Sequence, residues 1–409
     1  MYSYKRLSFV VALIVSAALV FSTCMHPSSS AGEKADPRGE AYAGSVTCQK
    51  CHKSVCDGYE RAAHSRTSRA AAAGTILGSF EKPANRYTYR PGMEVTMERR
   101  DSGLFQVTTI DGKETAHRFD VVMGSGRKAQ TYLYWVGDQP YELPVSYFVT
   151  THSWANSPGF PTDHVKFDRT IPVLCFECHS SFIQKKAPIR VDAFNQIDQL
   201  DKAQVVYGID CERCHGPAAK HIAWQEEHPQ DHSANYIARV SMLTRQQKLD
   251  MCALCHSGSH KMQRSSFGFK PGDHLDDYYY PESRIAATPA TMDVHGNQYQ
   301  LLMASKCMLR SKTLDCTSCH NPHVKERDNL ALFSQRCMNC HKIEEHPASS
   351  LGTAVLAANC IDCHMPAKDS KIITLQTEGQ KDPVADKVRS HYIAIYPEET
   401  KKFLAAMKH

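Results

Sequence analysis

Apolar and polar residues fall into four patterns along the chain. Leu7 to Phe21 is a mostly apolar run behind Lys5 and Arg6. It reads as a secretion signal within residues 1–24 and is too short for a comfortable membrane span. Residues 25–43 are polar and rich in Ser and Gly, as a linker would be. In the next segment, 44–82, Arg61 to Ala73 is Ala-rich and stops at Gly74, which predicts a helix carrying His64.

Residues 83–161 switch to period-two alternation. Tyr87-x-Tyr89, Val95-x-Met97 and Phe105-x-Val107-x-Thr109 predict strands, as do Phe119 to Met123, Tyr132 to Val136 and Tyr141 to Val145. Asp111-Gly112 and Gly137-Asp138 read as turns. Gly124-Ser125-Gly126-Arg127-Lys128 lacks the strand-loop-helix context of a phosphate loop and reads as a plain turn. From residue 162 to 409 regular β alternation is scarce, and Pro397 to Met407 predicts a closing helix. The expected fold class is mainly α and irregular, with a small antiparallel β insertion near residues 83–161.

Cysteine usage changes the picture. Of 17 cysteines, fourteen fall into seven C-x-x-C-H units. They are Cys48/Cys51/His52, Cys175/Cys178/His179, Cys211/Cys214/His215, Cys252/Cys255/His256, Cys316/Cys319/His320, Cys337/Cys340/His341 and Cys360/Cys363/His364. Such a unit is a covalent c-type haem attachment site: two thiols take the vinyl groups and the next His reaches the iron. Zinc is the competing reading, because Cys337, Cys340, Cys360 and Cys363 have zinc-ribbon spacing. A four-cysteine zinc site has no use for the His that follows all seven pairs. Seven covalent haems are therefore expected, and with them a core built largely of porphyrin. Export agrees, since this haem is attached outside the cytoplasm. Cys24 follows Phe21-Ser22-Thr23, a lipoprotein-like box with atypical residues, so a lipid anchor there is one alternative to simple cleavage.

The formal charge of +5 does not imply nucleic acid. Each haem brings two propionates, which the basic excess would neutralise inside the molecule.

A haem iron has a second axial position, and fifteen histidines lie outside the units. Filled positions mean electron transfer, and an open one means a reaction site. His320 and His323 lie on one side of one turn and cannot grip opposite faces of a haem. The same holds for His215 and His221, and His52 and His64 are also too far apart along a helix. These distal residues are expected to serve neighbouring haems. The favoured set is His64, His152, His221, His274, His323, His346 and His391, with His260 and His295 competing for the place of His274. His117, His164, His228 and His232 read as ordinary surface or loop residues. Cys56 and Cys307 are each a buried thiol or a pair with one another.

The chain resembles exported multihaem cytochromes related to the nitrifier tetrahaem cytochrome and hydroxylamine oxidoreductase. The matching pieces are Gly44-Ser45-x-x-Cys48-x-x-Cys51-His52 with His64, and Leu143-Pro144-Val145-Ser146-Tyr147. Further along they are Cys211 to Pro217 with His221, Cys316 to His323, and Cys360 to Pro366 with His391. The resemblance implies closely stacked haems, mostly with two His ligands. No C-x-x-C-K unit is present, so a lysine-ligated haem is not carried over. The leading expectation is an electron-transfer cytochrome working between redox proteins such as a membrane quinol oxidase module and a terminal reductase. Two alternatives are an oxidoreductase with one open haem for a small nitrogen or sulfur compound, lined by Tyr278, Tyr279, Tyr280 and Arg284, and a subunit of a larger respiratory complex.

Overall fold

The alternation at residues 86–156 is realised as two antiparallel sheets in a computed structural model of the whole chain, which describes residues 35–258, 261–280, 288–289, 291–347 and 352–406. The first strand, β1 (Ser68–Ala70), precedes a meander of β2 (Arg86–Arg90), β3 (Met93–Arg100), β4 (Gly103–Ile110) and β5 (Lys113–Arg118). Next come β6 (Val121–Met123), β7 (Ala129–Val136), β8 (Gln139–Glu142), β9 (Val145–Phe148) and β10 (Ser153–Asn156). The second sheet has the order β1-β6-β7-β9-β10, with β8 also on β7. Asp111 and Gly112 both have positive φ, 51° and 75°, as a type I′ hairpin between β4 and β5 requires.

Both faces of the second sheet are buried, and period two sorts the side chains between them. Val122, Tyr132 and Tyr134 pack with Tyr87, Val95, Met97 and Trp154 into a core between the sheets. Val121, Met123 and Leu133 face the other way, onto Phe176, Ile183 and Leu200. Gly78 lies against Trp154, and a Cβ there would come 2.1 Å from the indole ring.

The expectation of a mainly α and irregular fold is wrong. The chain is 29% helical and 27% strand. Two hairpins lie outside the expected β insertion: β11 (Ser180–Arg190) with β12 (Gln196–Tyr207), and β13 (Ala367–Leu375) with β14 (Val384–Arg389). Their strands lack alternation for a physical reason. The outer half of β11 is exposed on both faces, and register shifts interrupt both hairpins. Without a buried face, period two has nothing to select it.

The helix expected over Arg61 to Ala73 is also absent. His64–Arg66 is a single 3-10 turn, and the chain then enters β1. Sheet pairing of Ser68 with Met123 overrides alanine's helix preference, and the Ser68 hydroxyl donates to the His179 carbonyl at 2.7 Å. The closing helix spans Pro397–Ala406. The segment expected to be a signal sequence and Cys24 lie outside the described residues. Among the described residues no helix is long and apolar enough to cross a membrane.

Candidate haem sites

Each unit folds so that its two thiols and its imidazole leave one turn on the same side. The backbone N–H of His52, His320, His341 and His364 donates to the carbonyl of the first cysteine of the same unit, at 2.9, 2.9, 3.0 and 3.1 Å. Helical spacing of three and four residues then gathers the three side chains. Caps fix where these turns begin. The Asp210 carboxylate accepts from the Arg213 N–H at 2.8 Å, and Asp315 accepts from the Thr317 N–H at 2.8 Å. Thr244 and Gln247 form a capping box on the helix Arg245–His256.

The residues between the cysteines join units together, which their sequence does not announce. Glu212 is 3% exposed. Its carboxylate accepts the N–H groups of Ala43 and Gly44 at 2.9 Å each, and that of Ala218 at 2.8 Å. Arg38 pairs with it at 3.1 Å and with Asp210 at 2.6 Å. The third unit is thereby bolted to the segment before the first. Arg213 donates to the Ser266 hydroxyl at 2.8 Å and to the Glu177 carbonyl at 3.2 Å. The Glu177 carboxylate accepts from the Ser265 hydroxyl at 2.9 Å. That network ties the second unit to the third.

Thiols of different units lie close together: Cys48 and Cys211, Cys178 and Cys255, Cys252 and Cys316, and Cys337 and Cys360. The neighbouring thiol lowers Cys211 and Cys360 to about 6 and, together with burial, pushes Cys48 and Cys337 up. Cys214 lies within electrostatic reach of Cys252 and Cys255, and Cys319 of Cys337. These contacts link the first unit to the third, the third to the fourth, the fourth to the fifth, the fifth to the sixth and the sixth to the seventh. The second meets the fourth through Cys178 and the third through Glu177.

Four motif histidines face a second imidazole. Ring centres are 6.1 Å apart for His256 and His64, 6.0 Å for His215 and His323, 6.2 Å for His320 and His391, and 6.1 Å for His364 and His346. Ring pairs at this separation also occur as plain edge-to-face contacts, and His256 with His64 and His364 with His346 are edge-on at 80° and 78°. An imidazole nitrogen binds a transition metal at about 2.0–2.1 Å, and its ring centre lies roughly 1.1 Å further back, so two rings trans on one iron stand roughly 6 Å apart. The donor set fits haem: two opposed nitrogens, with a cysteine pair on the turn of one of them. Among the described residues no three His, Cys, Asp or Glu gather as a cage for a bare metal ion.

Burial favours the neutral form, the one a metal binds, at several of the histidines. It pushes His64 and His391 down to about 4 and lowers His179, His256, His320 and His323. Two Nδ1 atoms face carbonyls, which leaves Nε2 of those rings for a metal, whereas the buried Nδ1 of His179 and of His391 has no partner. His364 Nδ1 lies 2.9 Å from the Ala394 oxygen, and His221 Nδ1 lies 2.8 Å from that of Asn235.

The structure does not pair every candidate. Among the described residues His152, His221 and His274 face no motif histidine, and His152 and His274 are exposed. His295, rather than His274, lies within electrostatic reach of buried His179, as His256 also does. His260 and Arg284 lie outside the described residues. Tyr278 and Tyr279 are core residues, their hydroxyls donating to Asp273 at 2.7 Å and to the Leu254 carbonyl at 2.6 Å. Cys56 and Cys307 are both free, Cys56 beside Cys211 and Cys307 beside Cys319. His117 is no loop residue: it lies on β5, sandwiched between Tyr134 and Phe167 at 4.1 and 4.5 Å.

The chain is similar to the multiheme cytochrome MtrA of Shewanella baltica (strain OS185), 24% identical over 190 residues, or 42% of this chain. It spans about half of that relative, 53% of its length. No family model matches, and no solved structure matches.

Proposed function

We propose that the chain is an exported c-type cytochrome that binds seven haems and passes electrons along them between redox proteins. The four imidazole pairs at 6.0–6.2 Å carry this reading, because in each a motif histidine stands opposite a histidine from another segment at a separation that has room for an iron. The multihaem relative supports it. Bound haem supplies one-electron exchange at iron.

The chain supplies the rest. The fourteen motif cysteines hold the porphyrins, and His52, His179, His215, His256, His320, His341 and His364 approach from one face. His64, His323, His391 and His346 approach the opposite faces of the haems held by His256, His215, His320 and His364. Each belongs to a different unit from the haem it serves, so ligation stitches the array. His295 is the choice for His179. His152, His221 and His274 remain the sequence candidates for the other irons. Two nitrogen ligands per iron and buried surroundings keep out exchangeable ligands, which suits electron transfer over chemistry at iron.

Pyridine haemochrome and intact mass spectrometry test the reading. Seven covalent haems are expected. Two or fewer would overturn it.

A further inference from the structure

The four opposed imidazole pairs share a separation but differ in the angle between their ring planes. His215 and His323 stand at 13°, and His320 and His391 at 32°. His256 and His64 are crossed at 80°, and His364 and His346 at 78°. The third and fifth units therefore hold nearly parallel rings, and the fourth and seventh nearly perpendicular ones.

On an iron that angle has an electronic consequence. Each imidazole acts on the iron d orbital that lies perpendicular to its own plane, and raises it. Two parallel rings raise one orbital above its partner. Two crossed rings raise both and leave them close in energy. Low-spin ferric iron lacks one electron in this set and gains by leaving the raised orbital half-filled. Ferrous iron has the set full and gains nothing. Parallel rings therefore favour the ferric state and lower the reduction potential, one of the ways axial ligands tune a haem.

The most nearly parallel pair is also held from outside. The helix Lys53–Tyr59, which follows the first unit, packs on His323 at two adjacent positions. The Tyr59 ring stands edge-on to the His323 ring, with centres 6.2 Å apart and planes at 63°. Its hydroxyl donates to the Ile209 carbonyl, two residues before the third unit, which fixes the far end of the phenol. A Cβ on Gly58 would lie 3.0 Å from the His323 carbonyl oxygen, so glycine permits the close approach. Asn321 Oδ1 accepts the His323 N–H at 3.0 Å. Across the pair, His215 Nδ1 lies 3.4 Å from the Ala238 oxygen.

We propose that Tyr59 is a positioning residue, holding the His323 ring parallel to that of His215 and so giving the third unit a lower potential than the fourth. The proposal rests on the haem reading above. Ring angle alone then makes the step from the third unit to the fourth downhill for an electron, and the step from the fourth to the fifth uphill. The first unit's own helix thereby sets the ligand field of the third.

The test is electron paramagnetic resonance of the fully oxidised, haem-loaded protein, with haem content checked by mass spectrometry. Parallel rings give a low-spin signal with three resolved g values, and crossed rings a broad signal with one large g value. His323→Ala identifies the third unit, since one signal with three g values should be lost to high-spin iron. Tyr59→Leu should shift that same signal toward the large-g form with every haem still attached, and the midpoint potential of that haem should rise. Gly58→Ala, whose methyl would press on the His323 carbonyl, should shift the signal in the same direction and serves if the Leu variant does not fold. Loss of a large-g signal in His323→Ala would overturn the parallel arrangement. A third-unit signal unchanged in both Tyr59→Leu and Gly58→Ala would overturn the positioning role. A protein without covalent haem would instead defeat the cytochrome reading.

Discussion

The β half and the unit-bearing half of the molecule are stabilised by different materials. Between the two sheets, Tyr87, Val95, Met97, Tyr132, Leu143 and Val145 are at most 2% exposed, and side chains pack side chains. Around the units the helices are short, and what meets there is thiol against thiol, imidazole opposite imidazole, and carboxylate against backbone N–H. Glu177, Glu212, Arg213, Asp250 and Asp315 are all buried in that half. That interior is mixed, for Ala253, Leu254, Phe269, Leu275, Tyr278 and Tyr279 form an apolar cluster beside these groups. The first half rests on one large apolar core; the second divides its burial between a smaller one and a polar network, which contributes less net stabilisation.

The sharpest way to break that contrast is to withhold haem. Protein exported without haem attachment should keep a protease-resistant fragment covering β1 to β10, while residues 211–365 are digested. Equal resistance along the chain would erase the distinction. Next in size, Trp154→Ala should cost about 3–5 kcal/mol in denaturant unfolding of the β half, with the haem spectra unaltered. Gly78→Ala should act in the same direction, since its Cβ would strike that indole. Glu212→Ala should cost about 1–3 kcal/mol by stranding buried N–H groups, and it should disturb spectra of the first and third units rather than the sheets.

His323→Ala should barely move stability, yet one low-spin ferric signal in the electron paramagnetic resonance spectrum should turn high-spin with all haems still attached. A spectrum that stays wholly low-spin would refute its pairing with His215. The smallest effect concerns pH. The Arg336 guanidinium, 2.5 Å from Glu326, lowers that carboxyl below its ordinary value. Glu326 also accepts the Asn321 N–H at 2.9 Å and so steadies the loop bearing His323. The pair stabilises the loop wherever Glu326 is charged in folded and unfolded chains alike, and the benefit goes as pH falls through the lowered value. Acid titration should therefore alter the His323-linked signal in the wild type, and Glu326→Gln should flatten that response.

What could be read from sequence followed the same division. Val95-x-Met97 and Tyr132 to Val136 alternate because both sheets have a buried face, and Asp111-Gly112 marks its turn because few residue pairs tolerate two positive φ values. The C-x-x-C-H units are legible because their chemistry is local. The hairpins β11–β12 and β13–β14 were not, since each buries only a few positions and register shifts break the alternation along them. Nor were the roles of Glu177, Glu212 and Arg213, which occupy positions that attachment leaves unconstrained. Spacing excluded His320 as a partner for His323, but the ring opposite it comes from a remote segment, and only the folded chain brings the two together.

The buried bolts between the cysteines also bear on the order of assembly. An attaching enzyme must reach both thiols and the vinyl groups of a unit. Once Glu212 has accepted Ala43, Gly44 and Ala218, and Arg213 has closed on Ser266, the third unit is locked at 3% and 8% exposure for those two residues. On the haem reading proposed above, attachment at Cys211 and Cys214 after these bonds close would have to work on a turn already held on both sides. Attachment to the still-open chain would meet no such constraint, so folding and haem loading would compete for the same turn.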